Sequence, residues 1–149
     1  MIRRKQQLRD VFQTASEMRR LTVDYWSDLG RWLDEPFLNY FNYVCCLPYF
    51  EDPPDCETVS RPLYTLNPNY HPRDCDDKSV LLAAWLHGNG LKSKFIGVST
   101  QDNKELNHVF VQAGNGLYLD ATYPEYRGII GNYPYFKEVT FKEDLTDFF

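Results

Sequence analysis

No apolar run in this chain approaches the ~20 residues that a membrane-spanning helix needs. Cysteine is sparse as well, with Cys45, Cys46, Cys56 and Cys75 making four. Cys45 and Cys46 are neighbours, so a bond between them is strained. No cysteine or histidine pair has C-x₂-C or H-x₃₋₅-H spacing. A disulfide scaffold and a zinc site are both poor fits, and reduced thiols in a cytosol are the expectation. Excess positive charge is missing too. The formal net charge is −5, which gives no electrostatic case for nucleic acid. Arg3, Arg4 and Lys5 could pass for the start of a signal peptide. But Gln6, Gln7, Arg9, Asp10 and Gln13 stand where its apolar region is required. A soluble, cytoplasmic protein without membrane contact is expected. The sequence has neither repeats nor low-complexity tracts.

What is present is enough for one packed domain. The chain has 149 residues, of which 16% are aromatic, and disordered sequences lack such an aromatic share. Residues 3–34 read as helix, because Leu8, Val11, Phe12, Ala15, Met18, Tyr25, Leu29 and Trp32 recur near helical spacing. The pattern weakens at Thr22–Val23, and Pro36 closes it. Residues 1–35 thus form a helical arm. Such a stripe usually packs on its own domain; the sharper alternative is a contact for self-association or assembly. Over 48–73, Pro48, Pro53, Pro54, Pro62, Pro68 and Pro72 exclude long helices and central strands.

The clearest element is a helix over 74–88. Asp74 suits its cap, Asp76 and Asp77 suit its positive end, and Gly88 and Gly90 stop it. Its apolar run from Val80 to Leu86 makes it a buried helix. Strands are expected over Lys94–Thr100, Leu106–Gln112, Leu117–Thr122 and, more weakly, Tyr135–Phe141. Helices followed by an antiparallel sheet give an α+β fold, with residues from about 45 to 149 forming the core.

Three residues suggest chemistry. Cys75 lies in the first turn of the buried helix, where the helix dipole favours thiolate. Lys78, one turn on, would assist, while Asp74, Asp76 and Asp77 oppose. Taken singly, a helical cysteine is usually a small buried hydrophobe, and His108 and Asp120 are ordinary strand-end residues. Together they supply a thiol nucleophile, an imidazole base and a carboxylate to hold the imidazole's tautomer. Strand alternation tests the grouping. A two-residue loop Asn115–Gly116 would pair Gly114 with Leu117 and turn Asp120 off the face of His108. A three-residue loop Gly114–Gly116 pairs Ala113 with Leu117 and puts both on one face. The triad therefore requires the odd loop, for which Gly116 suits the bulge position. His87 is excluded as base by about 18 Å of helical rise; His71 is not. Cys56 sits in an acidic loop that suppresses thiolate. Asp74, Asp76 and Asp77 lack the glycine and distal glutamate of a calcium loop.

Asp74-Cys75-Asp76-Asp77-Lys78-Ser79-Val80-Leu81-Leu82 resembles the cysteine motif of transglutaminase-like proteins. Asn107-His108-Val109-Phe110-Val111 and Leu119-Asp120-Ala121-Thr122 resemble its histidine and aspartate strands. Glu57-Thr58-Val59 and Pro62 to Leu66 resemble the approach segment of microbial members. The likeness covers roughly residues 45–125. Arg73 stands where the family often has glycine, putting a bulky cation beside the nucleophile. The resemblance implies a papain-like core and an acyl-enzyme mechanism, with Cys75 as nucleophile, His108 as base and Asp120 as orienter. It implies a protein or peptide substrate; some transglutaminases use calcium, but with no calcium loop in the sequence no cofactor or metal is expected. The oxyanion would be met by the Cys75 N–H and a second donor, with Asn69 or Tyr70 as candidates. Hydrolysis (peptidase or amidase) and transglutaminase-type transfer both remain open, with a lean to hydrolysis. The alternative is a binding or structural module of a phage-like or other assembly; a redox or metal-binding cysteine protein is weaker.

Overall fold

Phe95, Val109 and Val111 point from one face of a four-stranded sheet into the main core, and Ile96, Val98 and Phe110 point from the other. That period of two is the alternation the sequence promised. A computed structural model describes residues 11–53, 57–70, 72–101, 104–123 and 139–149, and the backbone alone of 2–5. In chain order the elements are β1 (Ile2–Lys5), α1 (Val11–Tyr25), the 3₁₀ segment Trp26–Asp34, α2 (Phe37–Cys46), β2 (Glu57–Ser60), the single turn α3 (Pro62–Thr65), α4 (Cys75–Gly88), β3 (Ser93–Ser99), β4 (His108–Ala113), β5 (Tyr118–Leu119) and β6 (Phe141–Asp144). The sheet runs β5-β4-β3-β6, with every neighbouring pair antiparallel, and β1 pairs with β2 apart from it. The protein is α+β, as the element order implied.

α4 is the central element. Its stretch from Val80 to Ala84 is wholly buried. It meets α1, the 3₁₀ segment, α2 and α3 on its outer sides and β4 and β3 on its inner side. The polar ends of two large side chains bond main-chain carbonyls around it. The Tyr40 hydroxyl donates to Leu81 O at 2.8 Å, and Trp85 Nε1 donates to Trp32 O at 2.8 Å. Gly88 is the closest approach of the 3₁₀ segment, since a Cβ there would meet Leu33 and Trp26 side chains at 2.7 Å.

The amino-terminal region differs from the continuous helix expected over 3–34. Ile2–Lys5 form a strand against Glu57–Ser60, and the helical run breaks after Tyr25 and again at Gly30 (φ +55), rather than at Thr22–Val23. Long-range pairing with β2 is invisible to helical periodicity. Ala15, Met18 and Leu21 are buried, and α1 packs against α4, the own-domain alternative of the two. α2 was not foreseen, because Pro36 reads as a stop. It is in fact the residue before the first helical turn, where its missing N–H costs nothing. The expected strand Tyr135–Phe141 lies mostly outside the described residues, and β6 begins at Phe141. No described helix is long and apolar enough to cross a membrane.

Candidate functional site

α4 starts at Cys75 because Asp74 closes a reciprocal cap. The Asp74 carboxylate accepts from the Asp76 N–H (3.1 Å) and Asp77 N–H (3.4 Å), while Asp77 Oδ2 accepts from the Asp74 N–H at 3.1 Å. Asp77 is fully buried and also accepts from the Ser60 N–H at 3.0 Å, which ties β2 to this end of α4. Cys75, in the first turn, is half-buried. Its thiol points to Asp76 Oδ1 at 3.8 Å and meets the backbone N–H of Val109. One turn on, the Ser79 hydroxyl donates to Val109 O at 3.3 Å. This face of α4 therefore lies along β4 immediately beside His108.

The β4–β5 hairpin has the odd loop. Ala113 N–H donates to Leu117 O at 2.8 Å, Gly116 N–H to Ala113 O at 2.9 Å, and Gly116 has φ +94, which a side chain would strain. Val111 pairs with Leu119 and Gln112 with Tyr118, so one step on Asp120 falls opposite Phe110 and shares the face of His108. The two side chains meet: His108 Nε2 and Asp120 Oδ2 are 2.6 Å apart and both residues are buried. Asp120 Oδ1 accepts from the Thr122 N–H at 2.9 Å, which fixes the carboxylate's second oxygen. The Tyr123 ring stands edge-on to the imidazole with centroids 4.9 Å apart. The structure thus joins His108 to Asp120 and sets Cys75 against the residue that follows His108.

The electrostatic balance at Cys75, open from sequence, falls against a resting thiolate. Burial pushes the thiol well above its ordinary value, and Asp76, Asp74 and Asp120 push the same way; only the Val109 N–H opposes them. Lys78, expected to favour the thiolate from one turn on, turns inward instead. It is buried, and its ammonium donates to Cys45 O (3.3 Å) and Ala121 O (3.4 Å). Arg73 likewise does not overhang Cys75. Its side chain is fully buried and donates to the main-chain carbonyls of Thr65 (3.0 Å), Pro48 (2.7 Å) and Asn67. A buried guanidinium without a bonded carboxylate still satisfies its donors this way.

Neither candidate for the second oxyanion donor has a bond that places it there. Asn69 is exposed, and its backbone N–H caps Asn67 Oδ1 at 3.0 Å. The Tyr70 hydroxyl is buried on the β2 side of α4, where Ser60 and Asp77 are its neighbours. A side chain near Cys75 that the sequence did not single out is the partly exposed Tyr49. Phe50 and Arg73 exchange two backbone bonds, at 2.6 and 2.9 Å, and Arg73 also holds Pro48 O. Tyr49 is pinned between these anchors, beside Asp74 and Cys75. Burial raises its phenol first, followed by the charges of Cys75, Asp74, Glu51 and Asp76. No local pattern in the sequence could have found it, because the contact depends on the Phe50–Arg73 bridge.

His87 lies in the last turn of α4, with its ring 6.3 Å from that of Phe149. Cys45 is buried and Cys46 exposed; Cys56 and His71 lie outside the described residues. Among the described residues no three His, Cys, Asp or Glu side chains are placed to share a metal ion. No family model matches the chain, and no curated protein or solved structure matches it either.

Proposed function

We propose that this chain is a thiol enzyme acting on amide bonds through an acyl-enzyme, on a papain-like, transglutaminase-like core. The observation that carries this reading is the buried 2.6 Å contact of His108 Nε2 with Asp120, made on the strand against which Cys75 rests. With Nε2 held by Asp120, Nδ1 is the ring nitrogen that serves as base. The thiol is neutral at rest, so the proton passes from Sγ to His108 as sulfur attacks the carbonyl carbon. Asp120 then stabilises the imidazolium. The Cys75 N–H and the Tyr49 hydroxyl donate to the oxyanion; burial first, and then the negative surroundings, keep that phenol protonated and hence a donor. Collapse breaks the C–N bond, and His108 returns its proton to the departing amine. Water releases the acyl group in a peptidase or amidase, a second amine in a transferase.

The test is acylation by p-nitrophenyl acetate, followed as the nitrophenolate burst and by mass spectrometry of each cysteine. Cys75 is expected to acylate ahead of the exposed Cys46, and His108→Ala to slow it about a hundredfold or more. Equal labelling of Cys75 and Cys46, unchanged by His108→Ala, refutes the enzyme. The second reading, a binding or structural module of an assembly, is favoured by the raised Cys75 thiol among three carboxylates, and it predicts that equal labelling. In that case the exposed Phe12 and Val23 of α1 are the first surface to test for self-association.

A further inference from the structure

Between α2 and β2 the chain is held at every second residue. Pro48 O accepts from Arg73 Nη1 at 2.7 Å. The Phe50 N–H donates to Arg73 O at 2.6 Å, and the Arg73 N–H donates to Phe50 O at 2.9 Å. The Asp52 carboxylate accepts from the Thr58 N–H at 2.7 Å and from the Thr58 hydroxyl at 2.6 Å. Phe50 and Arg73 form an antiparallel bridge, and a pair that exchanges both bonds turns the main-chain groups of its neighbours the other way. Tyr49 and Glu51 therefore present their N–H and C=O groups away from Arg73. Both residues are exposed, and among the described residues these groups have no hydrogen bond. Such a row is a template for an added strand. It also lies beside the thiol, because the bridge's register, continued, sets Tyr49 opposite Asp74 and Pro48 opposite Cys75.

We infer that residues 49–51 are a substrate edge: an extended peptide adds to them as a strand, main chain to main chain, and delivers its amide to Cys75. The inference rests on the thiol-enzyme reading and names its substrate class, a peptide rather than a small amide. The acyl part stays on the enzyme through both steps, so it is the acyl side that the edge holds. An added strand lies two strand spacings, about 10 Å, from the strand that leads into Cys75. Extended residues cover ~3.3 Å each, so about three of them separate the attacked carbonyl from the first residue on the edge. Two substrate residues, two apart, then exchange bonds with Tyr49 and Glu51, and the residue between them faces away. Recognition of this kind reads backbone and length.

The experiment measures kcat/KM for p-nitrophenyl esters of acetate and of acetylated alanine peptides of increasing length. In wild type the value is expected to rise once the acyl part passes about three residues, by about two- to tenfold for each main-chain bond gained. In the longest ester, N-methylation of single residues should cost that same factor at two positions that are two apart, and little at the position between them. Glu51→Pro removes an outward N–H and suits an extended Phe50 before it. It should lower the ratio of the long-ester rate to the acetate rate, whereas Glu51→Ala, which keeps the N–H, should preserve it. A flat length series, N-methyl losses without the alternation, or a wild-type ratio in Glu51→Pro overturns the inference. His108-dependent acylation by the acetate then leaves the enzyme reading standing. Absence of His108-dependent acylation with every ester overturns both.

Discussion

Arg73 directs its guanidinium at three main-chain carbonyls, and through them it shapes the loop that flanks Cys75. Loops carry few mutual contacts of their own, so a rigid centre is needed if they are to place a functional group. Arg73 is such a centre: its backbone bridges Phe50 while its side chain holds Pro48, and Tyr49 is fixed between them. Arg73→Met would leave buried acceptors unpaired at about 1–3 kcal/mol each, without strict additivity. A loss on the order of 3 kcal/mol in urea unfolding is expected, with slower Cys75 acylation in the fraction that remains folded. An unchanged urea midpoint would show that the three bonds do not hold the loop. A charged residue two positions before a candidate nucleophile invites a reading as an access or specificity group. Only its burial, which no local pattern encodes, turns it into a scaffold.

At the scale of elements, the β4–β5 hairpin is where a single residue of loop length decides the site. Side chains alternate, so a register shift of one turns Asp120 to the opposite face of the sheet. Deleting Asn115 to leave a two-residue loop should abolish the His108-dependent part of Cys75 acylation while far-ultraviolet circular dichroism stays close to wild type. Retention of that part would mean that Asp120 does not orient His108. This register was partly legible: Gly114, Asn115 and Gly116 allowed two loops, and only the requirement that His108 and Asp120 share a face chose between them. α4 was legible outright, since its cap, its apolar run and its terminal glycines agree. β1, α2 and β2 were not. Each depends on a partner distant in sequence, or on a proline that acts as a start where it could equally be a stop.

For the molecule as a whole, the acidic cap of α4 makes stability depend on pH. Burial first, and then the charge of Asp77, push Asp74 up to about 9; burial pushes Asp77 to about 7. An unfolded aspartate titrates near 3.9. The folded state therefore retains protons that the unfolded chain has released, and stability falls as pH rises between about 4 and about 9. Asparagine caps a helix as well as aspartate does, so Asp74→Asn should flatten this slope in urea midpoints measured from pH 5 to pH 9. An equally steep slope in the variant would place the titration elsewhere. The same cap touches β2 through Ser60, and Asp74 directly precedes Cys75, so folding stability and the thiol's surroundings are set by one cluster.

The sequence by itself determined the α+β class, the helix that begins at Cys75 and the hairpin that carries His108, with Asp120 just past its second strand. These follow from periodicity, capping and turn chemistry, which act within a few residues of each other. Tertiary structure alone decided where the charges went. Lys78 and Arg73 were drawn inward to carbonyls, Tyr49 was brought beside Cys75, and the thiol was raised rather than lowered. Burial and through-space charge set those outcomes, and both depend on neighbours that lie tens of residues away along the chain.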